Sequence, residues 1–137
     1  MRYRRLSYRY AEVVSTGATP VPDLWNLRVP ARIAEGRWRP PADLYETPSA
    51  FIVKAEVPGM ADDDFDITLY ADGLVIEGVR PWEHFDGETH FHAVGIRYGP
   101  FRLEVPLRAT IDRDRVAARY ECGFLYVTLP KAEVHAP

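Results

Sequence analysis

The sequence predicts an all-β protein, a sandwich of antiparallel sheets, and three observations predict it. From Ala42 onward apolar residues alternate with polar ones along short runs. Turn-forming pairs separate the runs: Pro58-Gly59, Asp72-Gly73, Gly99-Pro100 and Cys122-Gly123, with further breaks at Pro81 and Gly87. The chain is 137 residues long and 47% hydrophobic, enough for one core and too little for two. Six or more short strands with one apolar face each need a second sheet to cover them.

The runs follow in order. Phe51, Val53, Ala55 and Val57 share one face, with Lys54 and Glu56 on the other. Phe65, Ile67 and Leu69 alternate with Asp66, Thr68 and Tyr70. Leu74 and Ile76 flank Val75. Phe101, Leu103, Val105 and Leu107 alternate with Arg102, Glu104 and Pro106. Val116, Ala118 and Tyr120 then alternate with Ala117 and Arg119, and Leu125, Val127 and Leu129 with Tyr126 and Thr128. Asp72-Gly73 reads as a hairpin turn because both residues tolerate positive φ. Cys122-Gly123 reads the same way, with Cys a poor occupant of such a position, at a cost of roughly 1 kcal/mol.

Residues 1–41 behave differently. They hold eight Arg against Glu12, Asp23 and Glu35, a charge of +5, whereas residues 42–137 carry -8, which together recover the net -3. Tyr3, Tyr8, Tyr10, Trp25 and Trp38 lie scattered among Arg and Pro without a period. Residues 2–14 suit a short helix and 23–28 a turn. The segment reads as a flexible, basic and aromatic arm, drawn by opposite charge to an acidic body of residues 42–131, with a short tail at 132–137. Interleaved Arg and Tyr suit nucleic acid, but the acidic body would repel a polyanion, so the arm is expected to contact protein.

Composition excludes several classes. A single Cys cannot staple a disulfide scaffold. No apolar run approaches the ~20 residues of a membrane span. The basic start lacks an apolar signal-peptide core, which points to a cytoplasmic protein. Asp62, Asp63, Asp64 and Asp66 lack the alternating loop and closing Glu that calcium takes, and read as a solvated turn. His90 and His92 would share one face of a strand, a spacing that can ligate zinc or copper. A polar interface loop with His84, His90 and His92 that responds to pH is the better reading. Cys122 has no visible base or pocket, so no enzyme is expected, nor any cofactor or metal.

The body resembles the alpha-crystallin domain of small heat-shock proteins, which are ATP-independent holdase chaperones. Five pieces stand in that family's order: PPADLYE (40–46), AEVPGM (55–60), DGLVIEG (72–78), RYGPF (97–101) and IDRDRVAARYECGFLYVTLPK (111–131). Ala118, Gly123 and Leu125 fit its Ala-x-x-x-x-Gly-x-Leu signature. The resemblance implies an immunoglobulin-like sandwich and a homodimer in which the loop near 81–95 reaches a partner's sheet. It also implies an arm that binds unfolding clients and drives higher assembly. Trp82, His84, Phe85, His90, Phe91 and His92 are then the interface candidates. Arg102 joins them, although the family's interface Arg would align with Leu103. Tyr3, Leu6, Tyr8, Tyr10, Trp25, Leu27 and Trp38 are the client-binding candidates, able to cover exposed apolar surface.

The tail departs from the family's paired branched aliphatics, since Val134-His135-Ala136 is at best a weakened version. Cys122 stands where the family usually has Asn. A cochaperone of the p23 or CS type, binding one folded partner through a similar sandwich, is the alternative. The 81–95 insertion and the Ala118–Leu125 signature favour the holdase.

Overall fold

Each alternating run carries its apolar residues to one face, and two such faces meet. The computed structural model describes residues 36–82 and 87–133, together with the backbone of Arg9 and Tyr10. Among these residues eight strands form: β1 (Arg9–Tyr10), β2 (Ala42–Glu46), β3 (Ala50–Glu56), β4 (Phe65–Tyr70), β5 (Gly73–Arg80), β6 (Gly99–Pro106), β7 (Ala117–Glu121) and β8 (Phe124–Pro130). One sheet has the order β1-β4-β5-β6 and the other β2-β3-β8-β7. The neighbours run antiparallel except β1, which pairs parallel to β4 through Arg9 with Thr68 and Tyr10 with Leu69.

The register brings apolar residues into rows. In the first sheet Ile67, Ile76 and Leu103 lie side by side, as do Leu69, Leu74 and Val105. In the second, Val53 pairs with Val127, and Val127 with Ala118. All of these are buried, and Val53, Leu103, Leu125, Val127 and Leu129 are fully so. Burying each such aliphatic side chain contributes about 1.5–3 kcal/mol, which makes this shared layer the main source of stability. No charged or polar residue is buried among the described residues. One end of the core is closed by four rings. Trp38 lies 5.3 Å from Phe101, Phe101 6.3 Å from Phe65, and Phe65 5.1 Å from Tyr120. The Tyr120 hydroxyl donates to the Val57 carbonyl at 2.8 Å, so the partly buried phenol has a partner.

The structure departs from the sequence reading in four places. Trp38 is not part of a free arm. It is 8% exposed, and its backbone pairs with β6, accepting from Arg102 N at 2.9 Å and donating to Pro100 O at 3.1 Å. Residues 36–41 therefore belong to the sandwich. Arg9 and Tyr10 form a strand where a helix over 2–14 was expected, because the open edge of β4 offers the backbone partners that strand pairing needs. Gly99 and Pro100 pair with Arg80 and Val79 inside β6 instead of forming a turn. Ala42–Glu46, which no named run included, pairs along its whole length with β3.

The two hairpins differ in an instructive way. Tyr70 pairs directly with Gly73, so the first turn is Ala71-Asp72, and neither residue has positive φ. Gly73 serves another need, since a Cβ there would lie 2.6 Å from the Val105 carbonyl oxygen. The second turn matches expectation. Glu121 pairs with Phe124, leaving Cys122 at φ 52° and Gly123 at φ 83°. This is the type I′ pattern, which matches the strand twist but strains a side chain at its first position. Replacing Cys122→Asn should stabilise the protein by roughly 0.5–1 kcal/mol, because Asn tolerates the left-handed region better. Urea denaturation at fixed protein concentration checks this, and an unchanged midpoint would refute it.

Candidate functional site

Strand β5 ends at Arg80 because Pro81 has no N–H to continue the ladder. The chain then leaves the sheet and returns only at Gly99. At the end of β5 and along this loop apolar side chains face outward: Val79, Trp82, Phe91, Val94 and Ile96 are each more than half exposed, Val94 reaching 69%. Tyr45 on β2 is the one further exposed large apolar residue among those described. Single exposed apolar residues are ordinary, but five within eighteen consecutive residues single this stretch out as the candidate interaction surface. β2 is an outer strand of its sheet, so one side of its backbone is open to another strand.

Each expected interface residue has a definite place where it is described. Trp82 is 57% exposed and stacks on Tyr98, centroids 4.4 Å apart. Phe91 is 55% exposed. His90 and His92 are exposed too, but they lie outside any strand, so the shared strand face that suggested metal ligation does not form. Among the described residues no three His, Cys, Asp or Glu side chains gather as a metal site. His84 and Phe85 lie outside the described residues.

Arg102 points to the outer face of the first sheet. It pairs with Glu77 at 3.0 Å and Glu104 at 2.8 Å, and Arg37 reaches Glu77 from the other side at 3.4 Å. Burial pulls the Arg102 pKa down, but the hydrogen bond Arg102 donates to Glu104 and the charges of Glu104 and Glu77 outweigh it and raise it above the ordinary value. With its pKa raised, Arg102 stays charged throughout the physiological range and serves both carboxylates. Leu103, the next residue along β6, is fully buried and cannot take that role.

Most of the client-binding candidates lie outside the described residues. Tyr3, Leu6, Tyr8, Trp25 and Leu27 lie outside the described residues, and Tyr10 is described only through its backbone in β1. Trp38 is the correction. Its indole sits in the core, with Nε1 donating to Gly99 O at 3.2 Å, and is not presented to a client. The tail Val134-His135-Ala136 lies outside the described residues as well.

Two features escaped the sequence reading. The open edge of β2 was hidden because ADLYE has only one strongly apolar position in five. Arg80 was hidden because its partners are remote in sequence. Its guanidinium bonds to Arg97 O and Pro58 O and lies 4.3 Å from the Trp38 ring. An Arg closing an alternating run immediately before Pro was the only available signal.

Comparison with known proteins agrees with this architecture. A family model, the Hsp20/alpha crystallin family, matches residues 43–137. The chain is 33% identical over 94 residues to a small heat shock protein C2 of Rickettsia felis, covering 69% of this chain and 61% of that protein. It is 37% identical over 96 residues to a 16.9 kDa class I heat shock protein of Oryza sativa, covering 69% and 64%. The chain thus spans less than two thirds of the length of these relatives. Among solved structures, heat shock protein 16.0 of Schizosaccharomyces pombe superposes with TM-score 0.65 at 29% identity over 80% of this chain and 74% of that one. A small heat-shock protein of Xylella fastidiosa, described as having a distinct high order structure, gives 0.65 at 30% identity over 74% and 93%. The family model spans the strands from β3 to β8 and nearly all of β2, and the chain belongs to the Hsp20/alpha crystallin family.

Proposed function

We propose that this protein is an ATP-independent holdase that dimerises through the 81–98 loop and captures unfolding proteins with its arm. The observation that carries the reading is the concentration of exposed apolar side chains at Val79, Trp82, Phe91, Val94 and Ile96 on a sandwich whose core is otherwise sealed. Covering such a surface removes apolar area from water and is favourable. A second copy of the chain fits, because each copy offers both the loop and the open edge of β2, where Tyr45 adds a further exposed ring.

Client capture falls to the arm. Tyr3, Leu6, Tyr8, Tyr10, Trp25 and Leu27 combine aromatic and aliphatic area with neighbouring Arg residues, whose stems add apolar contact. Binding the unfolded state lowers the concentration of free aggregating chain by mass action, with no nucleotide and no catalytic group. Assembly beyond the dimer is also assigned to the arm, since +5 on the arm meets -8 on the body.

Three measurements test this reading. Deleting residues 82–92 should yield a monomer in sedimentation at low micromolar concentration, and a persistent dimer would remove the loop from the interface. A chain of residues 36–137, which keeps Trp38 in the core, should suppress aggregation of a heat-labile protein at least tenfold less well than the whole. Undiminished suppression would move the client site onto the sandwich. Removing residues 133–137 should leave the size distribution unchanged; its collapse would show that Val134-His135-Ala136 docks.

A further inference from the structure

Arg80 stands at the neck of the 81–98 loop, where four stretches of chain converge. Its Nε donates to the Arg97 carbonyl at 2.9 Å, and one terminal nitrogen donates to the same oxygen. The other terminal nitrogen donates to the Pro58 carbonyl at 3.3 Å. The guanidinium plane lies over the Trp38 ring at 4.3 Å and within 5.6 Å of the Tyr98 ring centre. Tyr98 in turn stacks on Trp82. One side chain thus joins the two ends of the loop to each other, to the turn after β3, and to the segment that leads out of the arm.

We propose that Arg80 is the positioning residue of the 81–98 loop, holding its neck closed so that Trp82 and Phe91 are presented in one orientation to a partner copy. The proposal rests on the reading that this loop forms the dimer interface. Its physical basis is the rigid fork of a guanidinium, which serves two carbonyls at once and stacks on rings. A long loop returning between fixed points otherwise samples many conformations, and ordering it on association lowers affinity. Lys at this position keeps the charge but has neither the planar fork that spans both carbonyls in a fixed geometry nor the flat face that stacks on the rings.

The geometry supplies a direct readout. The carbonyl that Arg80 grips belongs to Arg97, an exposed residue whose peptide bond to Tyr98 is a tryptic site. A carbonyl clasped in this way cannot enter a protease cleft until the neck opens. Residue 80 is itself followed by Pro81 and resists trypsin whether it is Arg or Lys. The experiment uses the full chain and its R80K and R80M variants, following cleavage after Arg97 by mass spectrometry over a dilution series. The dimer constant is measured in parallel by sedimentation. Expected are cleavage after Arg97 at least tenfold faster in both variants, extrapolated to the monomer, a dimer constant weakened at least tenfold, and unchanged cleavage after Arg113 and Arg115. Unchanged cleavage after Arg97 overturns the clasp. Faster cleavage with an unchanged dimer constant overturns the positioning role. A variant that fails to fold is recognised by faster cleavage after Arg113 and Arg115. The decision then passes to Tyr98→Leu, which keeps Arg80 and removes one wall of its stack; an unchanged dimer constant there overturns the proposal too. Failure of the dimer reading is seen separately, as a wild-type chain whose association ignores deletion of 82–92.

Discussion

The register of β5 between its two neighbours is the constraint on which this molecule depends. Ile76 must lie beside Ile67 on one side and Leu103 on the other for three strands to present a single apolar face. Side chains alternate with period two, so a slip of one residue would turn Glu77 inward and Ile76 to water. Burying Glu77 without a partner would cost several kcal/mol. The outer face reinforces the same alignment, since in this register Glu77 meets Arg102, which also reaches Glu104. These pairs are one-fifth to one-third exposed, so their worth lies more in excluding wrong registers than in raw stability.

Much of this was legible in the sequence because alternation is a local property. Val53, Ile67, Leu103 and Val127 announce their faces through their immediate neighbours, and each is buried as expected. The turn at Cys122-Gly123 was legible for the same reason. The turn after β4 was legible as a turn but not in detail, since Gly73 answers to a carbonyl on β6 that local sequence does not reveal. What stayed hidden depends on remote partners. Trp38 looks like one more aromatic residue in a basic arm, yet Phe101 and the backbone of Pro100 draw it into the core. At Arg9 and Tyr10, within the span expected to be helical, an available strand edge likewise won.

The candidate interface was read by type more than by geometry. Trp82 and Phe91 were singled out because aromatic area in a polar loop needs a cover, and both are indeed exposed. The pairing of His90 with His92 rested on an assumed strand that the loop does not form. Arg102 and Leu103 could not be ordered by sequence alone; the sheet orders them, by burying Leu103 and leaving Arg102 outside with two carboxylates. The segment from Trp38 to the neck of the loop is thus one continuous cluster, Phe101–Trp38–Arg80–Tyr98–Trp82, running from core to surface.

The strained turn at Cys122 has a practical consequence. It carries the sole thiol of the chain, exposed at the outermost point of a short, two-residue hairpin between β7 and β8. A probe coupled there would ride on well-paired backbone, far in sequence from both the arm and the loop, and every copy in an assembly would carry a single probe at the same address. The protein thus comes with a native attachment point for a spin label or fluorophore, from which the spacing and symmetry of its copies can be measured without engineering a second cysteine.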